Sequence, residues 1–252
     1  MDACLELSDI VVRRGRHTIL AFERVTVRGG EFVGVVGPNG AGKTTFLKLC
    51  CGLIRPTRGV VAVEGRRLSR TWWRMAACRR HIGYIPQQTE YNAHLPFTVR
   101  EIVAMGRASH LGLGRRLRRD DYAKVDFWLD QMGLYGRRGQ TFRSLSGGQQ
   151  QRTLIARAMV AEPRLILMDE PGANLDAAAK RGLVETLERL FGENRLTVLL
   201  VSHEPGLIPG ACGRLLFMQQ GRIVADGSRR EVLDSAAARE AFGSGWSAGA
   251  AV

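Results

Sequence analysis

The sequence predicts an α/β fold organised around a mostly parallel sheet, and three observations carry that prediction. A short apolar run, Phe32–Val36, ends at a Gly-rich stretch that leads into a helical segment from about Thr44 to Cys51. Two further apolar runs, Leu165–Met168 and Val198–Val201, are separated by a segment of helical spacing, 177–191. Continuous apolar runs of this length are what strands buried on both faces look like, and their alternation with helices marks an α/β core.

Taken in order, residues 1–36 read as strands: Leu5, Leu7, Ile10 and Val12 are apolar, and Val25 and Val27 alternate with polar neighbours. Val60–Glu64 reads as another strand. Residues 98–106 and 120–135 have helical spacing, through Val99, Ile102, Val103 and Met105, then Val125, Phe127, Trp128, Leu129 and Met132. Leu154–Val160 is expected to be helical, and Leu215–Met218 with Ile223–Ala225 to form a hairpin around Gln220-Gly221. The mostly helical middle, 88–150, reads as an inserted lobe, and the small-residue stretch 243–252 as a flexible tail.

Composition narrows the class. The chain has 252 residues, 45% hydrophobic and 24% charged, which is a globular balance. Its longest apolar runs fall far short of the roughly 20 residues that cross a bilayer, so a membrane-spanning protein is excluded. Asp2 and Glu6 stand where a secretory signal would carry positive charge and apolar residues. Cys4, Cys50, Cys51, Cys78 and Cys212 make no regular framework and read as buried or incidental thiols in a reducing compartment. Cys78-x-x-His81 has metal-like spacing but no second pair to complete four ligands. The net charge is +13, and only Lys43, Lys48, Lys124 and Lys180 are lysines. Arginines cluster at Arg115, Arg116, Arg118 and Arg119, and again at Arg66, Arg67, Arg70, Arg74, Arg79 and Arg80. Two readings stand: a solvated surface, or attraction to nucleic acid or an anionic membrane face.

Three motifs carry chemistry. Gly37-Pro38-Asn39-Gly40-Ala41-Gly42-Lys43-Thr44-Thr45 matches G-x4-G-K-S/T, between a strand and a helix. Its glycines let backbone N–H groups point inward, and the helix start adds positive dipole, so the loop is a phosphate cradle. Lys43 would reach the β- and γ-phosphates and Thr44 would ligate Mg2+. This makes the core a P-loop NTPase. In Arg164-Leu-Ile-Leu-Met-Asp169-Glu170 a buried strand delivers two acids to a sheet edge. Asp169 is placed for the Mg2+ shell, and Glu170 to polarise a water. In Leu145-Ser146-Gly147-Gly148-Gln149-Gln150-Gln151-Arg152, a Ser and two Gly open a helix and form a second anion cradle. One chain thus holds two phosphate-gripping helix starts but one Lys43.

With LSGGQQQR in place, the sequence resembles the ATP-binding subunits of ABC transporters, and the family's order of motifs runs over about 5–240. The resemblance implies an N-terminal antiparallel β subdomain and an inserted α-helical subdomain, within an ATPase domain of 1–242 whose core is 1–87 and 151–242. It implies that Gln87, in Ile82-Gly-Tyr-Ile-Pro-Gln87, touches Mg2+ and the attacking water and relays to the permease. Asp176, in Ala173-Asn-Leu-Asp176, falls in the loop that crosses a dimer interface, and His203 is the switch histidine at the γ-phosphate. Two copies would pair head to tail, with Ser146, Gly147, Gly148 and Gln149 of one gripping the ATP held by Lys43 of the other. The implied partners are ATP, Mg2+, a second copy, a membrane permease and, indirectly, a periplasmic or lipoprotein substrate-binding protein, at the cytoplasmic face of a bacterial or archaeal membrane; no nucleic acid is expected.

Two departures stand out. The family's adenine-stacking aromatic, some 23 residues before Gly37, is Arg14 here. Either the Arg14 guanidinium stacks on the base, or Arg14 is solvated and adenine is held loosely or by His17. Gly172 replaces the family's Thr or Phe after Glu-Pro and is expected to loosen the interface loop. The lobe sequence 95–116 resembles importers of zinc or manganese, and nearly as well those of iron-siderophore, haem or vitamin B12. Trp72-Trp73 fits an exposed contact or core packing. The competing class, a DNA- or ribosome-acting ATPase of the superfamily, is disfavoured: Gly37 and Ser146 are 109 positions apart, too close for a long coiled coil, and the chain has one cassette.

Overall fold

The computed structural model describes residues 2–68, 78–87, 96–111, 115–194 and 196–242. Arg70, Trp72, Trp73, Arg74, His94 and the tail 243–252 lie outside them.

The first half of the core opens with a long hairpin, β1 (Ala3–Arg14) and β2 (His17–Arg28). β3 (Phe32–Val36) and α1 (Lys43–Cys50) flank the Gly-rich loop. β4 (Arg58–Val63) and β5 (Arg66–Arg67) complete an antiparallel sheet in the order β2-β1-β4-β5. β6 (Ile82–Ile85) leads to the helical region, α2 (Val99–Leu111), α3 (Arg119–Gln131) and α4 (Gly147–Met159). The chain then returns through β7 (Leu165–Asp169), α5 (Ala177–Glu193), β8 (Thr197–Val201), β9 (Arg214–Gln219) and β10 (Arg222–Ser228), and finishes in α6 (Arg229–Leu233) and α7 (Ala236–Phe242).

The larger sheet runs β10-β9-β3-β8-β7-β6. All its pairings are parallel except β9 with β10, so the expected mostly parallel sheet is present. Alternation along its strands divides the side chains between two cores. Val33 and Val35, Leu165 and Leu167, Leu199 and Val201, and Leu216 and Met218 pack with Phe46, Leu47 and Leu49 of α1 and with the antiparallel sheet. Their strand neighbours Phe32 and Val36, Ile166 and Met168, Val198 and Leu200, and Leu215 and Phe217 join the helices on the other face. Two buried faces per strand explain why the sequence shows unbroken apolar runs there.

In the helical region, Val99, Ile102 and Val103 of α2, Val125 and Leu129 of α3, and Leu154 and Ile155 of α4 are buried in one cluster. A buried ion pair, Arg107 Nε to Asp121 Oδ1 at 2.8 Å, ties α2 to α3. α4 is one continuous helix that runs across the expected 150/151 division. No helix among the described residues is long and apolar enough to cross a membrane. All five cysteines are free and buried, and burial pushes the Cys50 and Cys51 thiols up, away from reactivity. No cluster of metal-ligating residues forms around Cys78 and His81 among the described residues.

Candidate nucleotide site

β3 ends at Val36 and the loop begins at Gly37, whose φ is 152°. A Cβ there would sit 2.0 Å from the Met218 carbonyl oxygen, so only glycine fits. The loop is held through Gly221: its amide donates to the Ala41 carbonyl (3.0 Å), and its carbonyl accepts from the Ala21 amide (2.9 Å). The turn between β9 and β10 is therefore wedged between the loop and the N-terminal hairpin. α1 starts from Gly42, which brings no side chain to cap the helix and has φ 96°. Its first turn is left with uncapped N–H donors and no acidic residue, the condition for anion binding.

Lys43 is 5% exposed, and its Nζ donates to the carbonyls of Gly37 (2.8 Å) and Pro38 (3.0 Å). Burial lowers its pKa, with Glu170 and Asp169 pulling the other way. The amine is thus folded over the loop, at the place where phosphate oxygens would replace the two carbonyls. The Thr44 hydroxyl donates to Asp169 Oδ1 at 3.1 Å. Asp169, at the end of β7, is 1% exposed; burial raises its carboxyl pKa, and the Thr44 bond opposes that. Two oxygen donors and a lysine therefore meet at the carboxyl end of the parallel strands, where α/β sheets bind ligands.

Glu170 leaves the strand with φ 46°, its amide donating to the Val201 carbonyl at 3.0 Å. This left-handed turn follows directly on the strand end that carries Asp169. Glu170 Oε2 accepts from Gln87 Nε2 (2.9 Å), and Glu170 Oε1 lies 3.2 Å from His203 Nδ1. Gln87 follows β6 and His203 follows β8, the strands on either side of β7. Sheet order alone thus brings together the three polar residues that follow three neighbouring strands.

Ser146 sits apart. Its hydroxyl accepts from the Gln149 amide (3.4 Å), and its own amide donates to Gln149 Oε1 (3.0 Å), a reciprocal cap on α4. Ser146 and Gly147 are exposed. Asp176 caps α5 by accepting from the Ala179 amide at 2.8 Å. A Cβ on Gly148 would lie 3.0 Å from that of Ala179, and one on Gly147 3.3 Å from Leu175 Cδ2. The Ser146 cradle therefore rests on 175–179 of its own chain and takes no part in the Lys43–Glu170 cluster among the described residues.

The family model described as ABC transporter matches residues 23–173. The chain belongs to that family. It is an ATP-hydrolysing cassette. One similar protein, from Thermotoga maritima, is a probable metal transport system ATP-binding protein, 33% identical over 86% of this chain and 81% of its own length. A high-affinity zinc uptake system ATP-binding protein of Bacillus subtilis is 32% identical over 86% of this chain and 91% of its own. A hemin import ATP-binding protein of Bradyrhizobium diazoefficiens is 36% identical over 96% and 89%. Among solved structures, a putative metal-chelate type ABC transporter in an inward-facing conformation aligns with a TM-score of 0.81 at 28% identity, covering 96% of this chain and 89% of that one. An ATP-binding cassette solved as a post-hydrolysis dimer with ADP and phosphate aligns at 0.76 and 27%, covering 90% and 99%.

The cassette also shows what the sequence did not. Arg14 pairs across the hairpin with His17, and both are exposed at its tip. Ile19 and Leu20 of the same hairpin abut Gly42, so the tip stands on the P-loop side of the molecule. Gly172 is buried, and a Cβ there would meet Leu207 Cδ1 at 2.3 Å. The missing side chain is made up by Leu207, and the segment is packed where loosening was expected. Lys180 Nζ donates to both oxygens of Glu204 (2.7 and 2.5 Å), and Glu204 Oε1 lies 3.8 Å from His203 Nε2. In the sequence Glu204 is simply the residue after His203, and Lys180 has no signal beyond being one helical turn past Asp176. The Tyr84 hydroxyl is buried with no partner among the described residues, and burial with the nearby Asp169 raises its pKa.

Proposed function

We propose that this cassette works as one half of a head-to-tail pair on a membrane permease, at the cytoplasmic face, and drives import of a divalent metal ion of the zinc or manganese kind. The observation that carries the hydrolytic part is Glu170 held between Gln87 and His203, beside the Lys43–Thr44–Asp169 group. Lys43 exchanges its two loop carbonyls for phosphate oxygens. Glu170 orients a water for in-line attack on the γ-phosphate, with Gln87 and His203 fixing its carboxylate. Ser146 to Gln149, with Ser146 and Gly147 exposed and Ser146 capping its own helix, close over the partner's nucleotide.

Thr44 Oγ1, the Asp169 carboxylate and the Gln87 amide oxygen are hard oxygen donors, the set that suits Mg2+. Bound with the nucleotide, Mg2+ supplies charge neutralisation at the phosphates. The metal cargo is favoured by the metal and zinc relatives. A second cargo, haem, is favoured by the hemin-import relative at 36% identity. A substrate-binding protein on the far side of the membrane completes the proposed importer.

Cellular zinc, manganese and haem iron in a deletion strain, complemented with wild type or Glu170→Gln, test the cargo. Loss of zinc or manganese uptake that only wild type restores is the expected result. Normal metal content with lost haem uptake selects the second cargo.

A further inference from the structure

The first turn of α5 touches two places that belong to different nucleotide sites in the proposed pair. Ala179 packs against Gly148 of the Ser146 cradle, which would serve the partner's nucleotide. The next residue, Lys180, holds Glu204, which follows the chain's own His203. The Lys180 amide also donates to the Asp176 carbonyl (2.9 Å), so this turn is continuous with the interface segment.

The 202–207 segment is fastened in a way that makes Glu204 its handle. Ser202 Oγ donates to the Glu204 carbonyl (2.9 Å) and accepts from the Glu204 amide (3.0 Å), closing a tight turn around His203. Leu207 fills the space beside Gly172. The imidazole then stands between two carboxylates, with Nδ1 3.2 Å from Glu170 and Nε2 3.8 Å from Glu204. Glu170 thus lies at one edge of the ring and Glu204, beyond hydrogen-bond reach, at the other, with Lys180 holding the outer carboxylate.

We infer that Lys180 and Glu204 are positioning residues: the pair aims the His203 ring at Glu170 and ties that aim to the first turn of α5, so that movement of the interface segment reaches the hydrolytic cluster. The inference rests on the assignment of Glu170 and His203 to hydrolysis. The pair is partly exposed, with Lys180 at 28% and Glu204 at 35% of their side-chain surface. Ion pairs of this kind add little to stability, so removing one reports on position more than on folding.

The experiment uses the purified full chain with Mg-ATP and compares Lys180→Met, Lys180→Arg, Glu204→Gln and the Lys180→Met/Glu204→Gln double variant. Lys180→Met and Glu204→Gln should each lower kcat about tenfold, the scale of a misaimed group near the chemistry. ATP affinity, read in the Glu170→Gln background, should stay within about twofold of its value there, the signature of a lost transition-state contact. Lys180→Arg should restore most of the rate. The double variant should be no slower than the slower single one, because both changes break one link. Unchanged kcat in Lys180→Met, multiplied losses in the double variant, no rescue by Lys180→Arg, or ATP affinity falling in step with kcat would each overturn the inference. Rapid turnover by Glu170→Gln itself would instead overturn the reading of Glu170, a separate failure.

Discussion

The two anion cradles of this chain are built to opposite plans. The Lys43 cradle has a buried lysine, is braced by the β9–β10 turn and flanked by β2, and is backed by Asp169 and Glu170. The Ser146 cradle is exposed, with its hydroxyl and amide bonded to Gln149 of the same helix. The first is held together by bonds within the chain. In the second, the Ser146 oxygen accepts the Gln149 amide, which leaves its O–H free to donate to another molecule. Under the proposed pairing, the first cradle would bind the nucleotide and the second would close over that of a second copy.

The sharpest way to break that contrast is at Glu170. Glu170→Gln should lower kcat by about 10²–10⁴ while ATP binding persists, measured by turnover against equilibrium nucleotide binding. Equal loss of both would merge the binding and hydrolytic roles that the geometry separates. Gly37→Ala tests how rigid the buried cradle is. With a Cβ 2.0 Å from the Met218 carbonyl oxygen and φ at 152°, the variant should lose more than about 2 kcal/mol in urea unfolding. A variant as stable as wild type would show the loop to be pliable.

Asp169→Asn tests what the buried charge costs the fold. Burial raises the Asp169 carboxyl pKa, so the fold binds its proton more tightly than the unfolded chain does. Wild-type stability from this group is therefore lowest when the carboxylate is ionised and is regained as pH falls through the folded value. Asp169→Asn should therefore melt higher than wild type near pH 7, and the gain should vanish in acid, as thermal unfolding across pH would show. A gain independent of pH would contradict the assigned cause. At the exposed cradle, Ser146→Ala should cost at most about 1 kcal/mol, since its 3.4 Å cap bond is long. Its ATP affinity as a single chain should be unchanged, read by calorimetry.

Much of the nucleotide site was legible in the sequence. Gly37 to Thr45 is contiguous, and the strand before it and helix after it are marked by local composition. Leu165–Met168 announces its own burial and places Asp169 and Glu170 at a sheet edge. Gln87 and His203 were found through the resemblance, because a lone polar residue after a strand carries no chemistry until the strand order is known. The sheet order β8-β7-β6 is what sets them on Glu170. The remainder depends on pairs distant in sequence. Gly221 bracing Ala41, Leu207 replacing a side chain at Gly172, and Lys180 reaching Glu204 have no local pattern. The loosening expected from Gly172 failed for that reason: the compensating residue lies 35 positions away.

The contrast between the cradles comes down to whether the exposed one is completed by a second copy. Light scattering of Glu170→Gln with saturating Mg-ATP decides it. The mass should rise from 27.8 kDa to about twice that value, and the added change Ser146→Arg should hold it at one copy while ATP stays bound, because a bulky cation would fill the cradle. A nucleotide-saturated chain that remains at the mass of one copy, or a pair that forms as well with Ser146→Arg, would contradict it.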